Sequence, residues 1–172
     1  MSITLIIVGV SGSLGNLSAL HTAVAEARNR EASLLAVRAW SPHGGELIHR
    51  RGSCPPALAE WRREEARALR TAFIDAFGAM PDDVEVGTSL VRGEAGPALV
   101  KVADQPDDLL VVGAGRRGGM RRLFHGGVGR HCVAHARCAV LAVPPPDLMR
   151  DLGRTPGSWT SCRCGVRHKG AM

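Results

Sequence analysis

The sequence predicts a doubly wound α/β fold: a five-stranded parallel sheet in the order 3-2-1-4-5, with helices on both faces. Three observations carry this expectation. Short apolar runs alternate along the chain with stretches of helical periodicity, the pattern of parallel strands joined by right-handed crossovers. Aromatic residues make up 3% of the 172 residues and Tyr is absent. The core is therefore built from Val, Leu, Ile and Ala, as suits strands buried on both faces. Glycines and prolines fall between the runs, where turns are needed.

Each element follows from local residues. Ile3 to Val10 is a β-branched and Leu run ending in Gly9-Val10-Ser11-Gly12, a buried strand entering a tight turn. Ser13 can cap a helix with Leu14, Leu17, Leu20, Val24 and Ala27 on one stripe. Ser33 to Trp40 is the second strand. Ser41 to Cys54 carries Pro42, Gly44, Gly45 and Gly52 and reads as a long loop. Pro55-Pro56 suits the first turn of a second helix, whose stripe is Leu58, Trp61, Leu69, Phe73 and Phe77 and whose stop is Gly78. Asp83 to Val91 alternates as a peripheral strand does. Gly93 to Pro97 opens a short helix through Val102 and Ala103. Asp108 to Val112 is a fourth, buried strand stopped by Gly113, Val128 to Ala136 a helix, and Ala139 to Val143 the last strand.

One domain is expected over residues 1–146, ending at Pro144-Pro145-Pro146. Residues 147–172 are expected to form a basic, disordered tail, too poor in apolar residues to offset its ordering entropy. The tail holds five basic against two acidic residues, so +3 of the net charge of +6 lies there. The five cysteines have no disulfide-like spacing, which fits a reducing compartment. Met1-Ser2-Ile3-Thr4-Leu5 has no basic stretch or cleavage site of a signal peptide, and no apolar run is long enough to cross a bilayer. A cytoplasmic protein with no membrane partner is the expectation. The scarcity of aromatics argues against nucleic acid as a partner.

In such sheets ligands bind beyond the carboxyl ends of the strands, where the order reverses. Here that point lies between strands one and four, at the loops Val10 to Gly15 and Gly113 to Gly127. The second loop holds Arg116, Arg117, Arg121 and Arg122, with Gly126-Gly127 before a helix. A helix start offers unpaired N–H groups and a positive dipole end, and Arg adds charge-assisted hydrogen bonds. The stretch from Gly113 to Val128 thus suits a phosphate; equally, its glycines can serve loop geometry alone. It is not a Walker A loop, having no Gly-Lys-Ser/Thr, and the first turn lacks the Rossmann glycine triplet.

Several of these segments together resemble the universal stress protein family. They are Ile6-Ile7-Val8-Gly9-Val10-Ser11-Gly12-Ser13, Gly93-Glu94-Ala95-Gly96-Pro97-Ala98, Asp108-Leu109-Leu110-Val111-Val112-Gly113 and His135-Ala136-Arg137-Cys138-Ala139-Val140-Leu141-Ala142-Val143. The resemblance spans about residues 1 to 144, in order. It implies a non-catalytic, cytoplasmic, stress-response regulatory module, commonly a homodimer. Some members bind ATP through Gly-x2-Gly-x9-Gly-Ser/Thr; others lack the motif and do not. Aligned on Gly113 and Gly126, the middle glycine falls on Arg116 and the hydroxyl residue on Gly127. Ser11 stands where an acid usually ends the first strand. A nucleotide site carried over from the resemblance comprises Ser11, Gly113, Arg116, Gly126, Gly127 and Val128, with ATP as cofactor and no metal beyond a nucleotide-associated Mg. The alternative is a homodimer that binds no nucleotide and acts through protein partners, Ala139 to Val143 being its candidate pairing edge.

His131 and His135 lie at i, i+4 beside Cys132, and Cys162-Arg163-Cys164 lies near His168. Neither has a further cluster at ligand spacing, so no metal site is assigned. Arg62-Arg63 and Glu64-Glu65 read as exposed ion pairs. Trp40 ends the second strand, where a ring can flank a ligand's base or pack under a loop.

Overall fold

The computed structural model describes residues 3–11, 14–42, 55–114, 127–144 and 146. The elements run β1 (Leu5–Gly9), α1 (Leu14–Arg30), β2 (Ser33–Trp40), α2 (Pro55–Phe77), β3 (Val86–Arg92), α3 (Ala95–Val102), β4 (Asp108–Gly113), α4 (Val128–His135) and β5 (Ala139–Val143). The sheet is parallel in the order β3-β2-β1-β4-β5, as the sequence predicts. The Arg-rich stretch 115–126, the segment 43–54 and the tail 147–172 lie outside the described residues.

β1 is the centre of the sheet. Ile7 pairs with Leu35 on one side and Leu110 on the other. Side chains alternate between two layers. Ile6, Val8, Leu34, Ala36, Leu109 and Val111 face α1 and α2, where Leu20, Val24, Leu69 and Phe73 cover them. Ile7, Val37, Leu110 and Val112 face the opposite layer, with Leu99, Ala103 and Cys132. Phe73, Ile6, Ile7 and Leu110 are fully buried. Each such side chain contributes about 1.5–3 kcal/mol by leaving water.

The buried face of α1 is Asn16, Ala19, Leu20, Ala23, Val24 and Ala27. Leu20, Val24 and Ala27 of the predicted stripe are on this face, while Leu17 is half-buried. Ala19 and Ala23 complete the buried face beside that stripe. In α2 the second half is buried, through Leu69, Ala72 and Phe73, while Leu58 and Trp61 in the first half are half-buried.

Boundaries moved where side chains found other partners. β3 starts at Val86 rather than Asp83, because Asp83 sits in a bend and accepts two hydrogen bonds from Arg28, at 2.5 and 2.9 Å. Those bonds hold the Asp83 carboxyl below the usual carboxylate range. α3 starts at Ala95 because Gly93 has φ +134, a conformation closed to helix and strained for any side chain. The Gly93 N–H donates to the Trp40 carbonyl at 2.9 Å, tying that turn to the end of β2. Glu65 is not part of an exposed charge row: it is half-buried and pairs with Arg38 of β2. Arg63 does pair on the surface, with Glu60 at 2.9 Å.

Candidate functional site

The sheet's order reverses at β1. α1 and α2 cover one face and α3 and α4 the other, so a crevice opens beyond the carboxyl ends of β1 and β4. The last β1–β4 pair is Val8 with Val111. Beyond it, the Val10 N–H turns toward β2 and donates to the Val37 carbonyl at 2.8 Å. The Ala114 N–H turns the other way, to the Val143 carbonyl of β5 at 2.7 Å. The two central strands therefore commit their hydrogen bonds to outer neighbours where they part, and Ser11 lies exposed at the end of β1.

α4 begins beside this point. Its N-cap, Gly127, is extended (φ −76, ψ 154) and makes no side-chain cap hydrogen bond. The first intrahelical bond runs from the His131 N–H to the Gly127 carbonyl at 3.1 Å. A Cβ at Gly127 would meet nothing within 4 Å among the described residues. A Cβ at Gly129 would stand 3.8 Å from the Gly113 carbonyl oxygen. The first turn of α4 thus lies against the end of β4, with Val128 40% exposed. A helix start without a side-chain cap is suited to an anion.

Two contacts hold α4 there. Cys132 is fully buried against the sheet, and burial pushes its thiol pKa up. Gly96 of α3 lies under His131: a Cβ on Gly96 would come within 2.8 Å of the imidazole and 3.0 Å of His131 Cβ. Only glycine permits that approach. His131 and His135 stack at 4.3 Å, and His135 Nδ1 lies 2.9 Å from the His131 carbonyl oxygen. Among the described residues no group of three or more His, Cys, Asp or Glu is placed to hold a metal ion.

Of the six candidate site residues, the structure brings Ser11, Gly113, Gly127 and Val128 to the carboxyl end of the sheet; Arg116 and Gly126 lie outside the described residues. Trp40 is half-buried at the same end, on β2. Sequence reasoning missed two polar side chains. Asn16 is 5% exposed, and its Nδ2 has no hydrogen-bond partner among the described residues. Arg38 Nη1 is buried and likewise without one, although Arg38 Nε pairs with Glu65. An Asn on the sheet-facing spacing of α1 was the available signal for the first. A buried acid, Asp108, is at the amino end of β4, accepts the Gln105 N–H at 3.1 Å and has its pKa raised by burial.

Among the described residues no helix is long and apolar enough to cross a membrane. The profile of the universal stress protein family matches residues 3–144. A universal stress protein of Mycobacterium tuberculosis is 29% identical over 144 residues, which is 83% of this chain and 44% of that protein. One from Mycolicibacterium smegmatis is 28% identical over 142 residues, 81% of this chain and 45% of that protein. The chain thus spans less than half the length of these relatives. Among solved structures, a universal stress protein in complex with cAMP is 26% identical, with a TM-score of 0.56 over 83% of this chain and 98% of the other. A universal stress protein from Lactobacillus plantarum is 25% identical, with a TM-score of 0.62 over 83% and 99%. With the reversal point, the layer assignment and the profile in agreement over the whole described domain, the chain belongs to the universal stress protein family.

Proposed function

We propose that this chain is a non-catalytic regulatory module of the stress response that binds an adenine nucleotide in the crevice beyond β1 and β4. The observation that carries the reading is the start of α4, whose N-cap has no side-chain cap and which is set against the end of β4. The similar structure in complex with cAMP supports an adenine nucleotide as the ligand class. ATP is the form proposed here, with Mg entering only as its companion. Gly113, Gly126, Gly127 and Val128 line the phosphates through backbone groups, Arg116 contributes charge, and Ser11 lies near the nucleoside. Gly127 in place of a hydroxyl residue costs one side-chain hydrogen bond but keeps the N–H groups of the helix start.

The module acts in the cytoplasm as a homodimer, without membrane or nucleic-acid partners. β5 is an edge of the sheet and supplies unpaired backbone groups for a second copy. Residues 1–146 form the domain and residues 147–172 a basic tail outside it. Titration calorimetry with ATP, together with mass spectrometry of nucleotide carried through purification, tests the reading. Saturable ATP binding is expected; none at millimolar ATP refutes it and leaves the nucleotide-free homodimer.

A further inference from the structure

Asn16 stands in the first turn of α1, at the crevice end of the buried stripe that continues through Ala19, Leu20, Ala23 and Val24. Every other member of that stripe is apolar and packs toward the sheet. An amide is costly there, because a buried donor without an acceptor forfeits its hydration. Its Nδ2 has no partner among the described residues. α1 packs over β1, β4 and β5, so its first turn overlies the end of the sheet where β1 and β4 part.

A second buried donor without a partner lies in the same layer and at the same end. Val37 is level with Gly9 in the register, so Arg38 is level with Val10. Its side chain faces the α1/α2 layer, where Nε pairs with Glu65 of α2 and Nη1 is left over. These two are the buried orphan side-chain atoms among the described residues, and both are N–H donors. One belongs to a cation and the other to the positive end of a helix. What each of these two atoms lacks among the described residues is a hydrogen-bond acceptor, although the Arg38 charge is already paired with Glu65.

We propose that Asn16 is a nucleotide-binding residue of the crevice, its side-chain amide donating to a phosphoryl oxygen. The inference rests on the nucleotide reading above. It adds a contact from α1, on the sheet face opposite α4, so that the phosphates are held from both sides of the switch point.

The test compares the full chain with N16L and N16D, using ATP, AMP, adenosine and tripolyphosphate as separate probes in calorimetry and thermal melts as a folding control. N16L restores an apolar stripe, so its melting temperature stays level or rises. Its ATP and tripolyphosphate affinities fall about 10- to 100-fold, as for one hydrogen bond to a charged acceptor. Adenosine affinity changes less than threefold. N16D keeps the shape, replaces the donor with a charge and loses at least as much. Absence of ATP binding by the parent chain overturns the nucleotide reading and this inference with it. ATP binding retained by either variant overturns this inference alone, the amide then serving only an ordered water. An equal loss for adenosine and ATP overturns the assignment to a phosphoryl oxygen.

Discussion

Replacing Gly96 with alanine tests whether the α3–α4 contact sets the position of the candidate anion site. The added Cβ would meet His131 Cγ and Cδ2 at 2.8 Å and Cβ at 3.0 Å. An ordinary contact begins near 3.4 Å, so the helices must open by about 0.6 Å. The imidazole cannot yield freely, because it stacks on His135 at 4.3 Å and its own Cβ is part of the collision. Overpacking of this kind costs about 1–3 kcal/mol. Alanine in place of a helical glycine returns about 1 kcal/mol. The net expectation for G96A is a destabilisation of up to about 2 kcal/mol. In an H131A background the imidazole atoms are gone and the same change becomes near neutral. Urea denaturation of the four proteins closes a double-mutant cycle, with an expected coupling of about 1 kcal/mol. A G96A effect equal in the two backgrounds, within about 0.3 kcal/mol, would refute the argument that helix approach is limited at this pair.

Three further outcomes follow from the same structure. Cys132, buried and with its pKa raised, resists alkylation in the native protein at neutral pH and reacts only on unfolding; mass mapping after native and denatured labelling checks this. Asp108 has its folded pKa raised above the unfolded 3.8 by burial, so the native state holds its proton more tightly, and the group's contribution to stability declines as pH rises from 3.8 through the folded value; D108N removes that decline in melts run from pH 4 to 7, and an unchanged slope counts against the burial argument. Gly127→Ser restores a hydroxyl at the N-cap, changing stability by only a few tenths of a kcal/mol but tightening ATP binding severalfold in calorimetry; unaltered affinity would place the phosphates elsewhere.

The fold was legible because strand burial leaves a direct mark. Leu5–Gly9 and, after Asp108, the rest of β4 are continuous apolar runs since both faces are covered, and the alternation of such runs with helical stretches points to a parallel sheet. The start of β3 was less legible: Asp83 and Val84 continue the alternation, yet the Asp83 carboxylate is claimed by Arg28, 55 residues away in sequence. Such long-range pairs leave no local periodicity. The same reason hid the Arg38–Glu65 pair, which in sequence looked like one row of charges on α2. The switch-point rule picks out the two loops that hold Ser11, Gly113 and Gly127; the choice of these residues, with Val128, as a candidate nucleotide site follows from the family resemblance. Asn16 was passed over because a stripe read from apolar residues alone skips a polar one; its spacing, four residues before Leu20, puts it on the face that the structure buries.

The register of the central strand also bears on how the chain assembles. Leu5 pairs with Ser33, 28 residues on, and with Asp108, 103 residues on. Loop-closure entropy makes the second contact about 1 kcal/mol more costly to form than the first. During synthesis from the N-terminus, β1 and β2 can meet long before β4 exists, leaving one edge of β1 unsatisfied while more than half of the domain is still to be made. The crevice beyond β1 and β4 is therefore among the last features the folding chain can complete, and a nascent chain halted before Asp108 would carry an open, aggregation-prone edge on β1 where β4 later pairs.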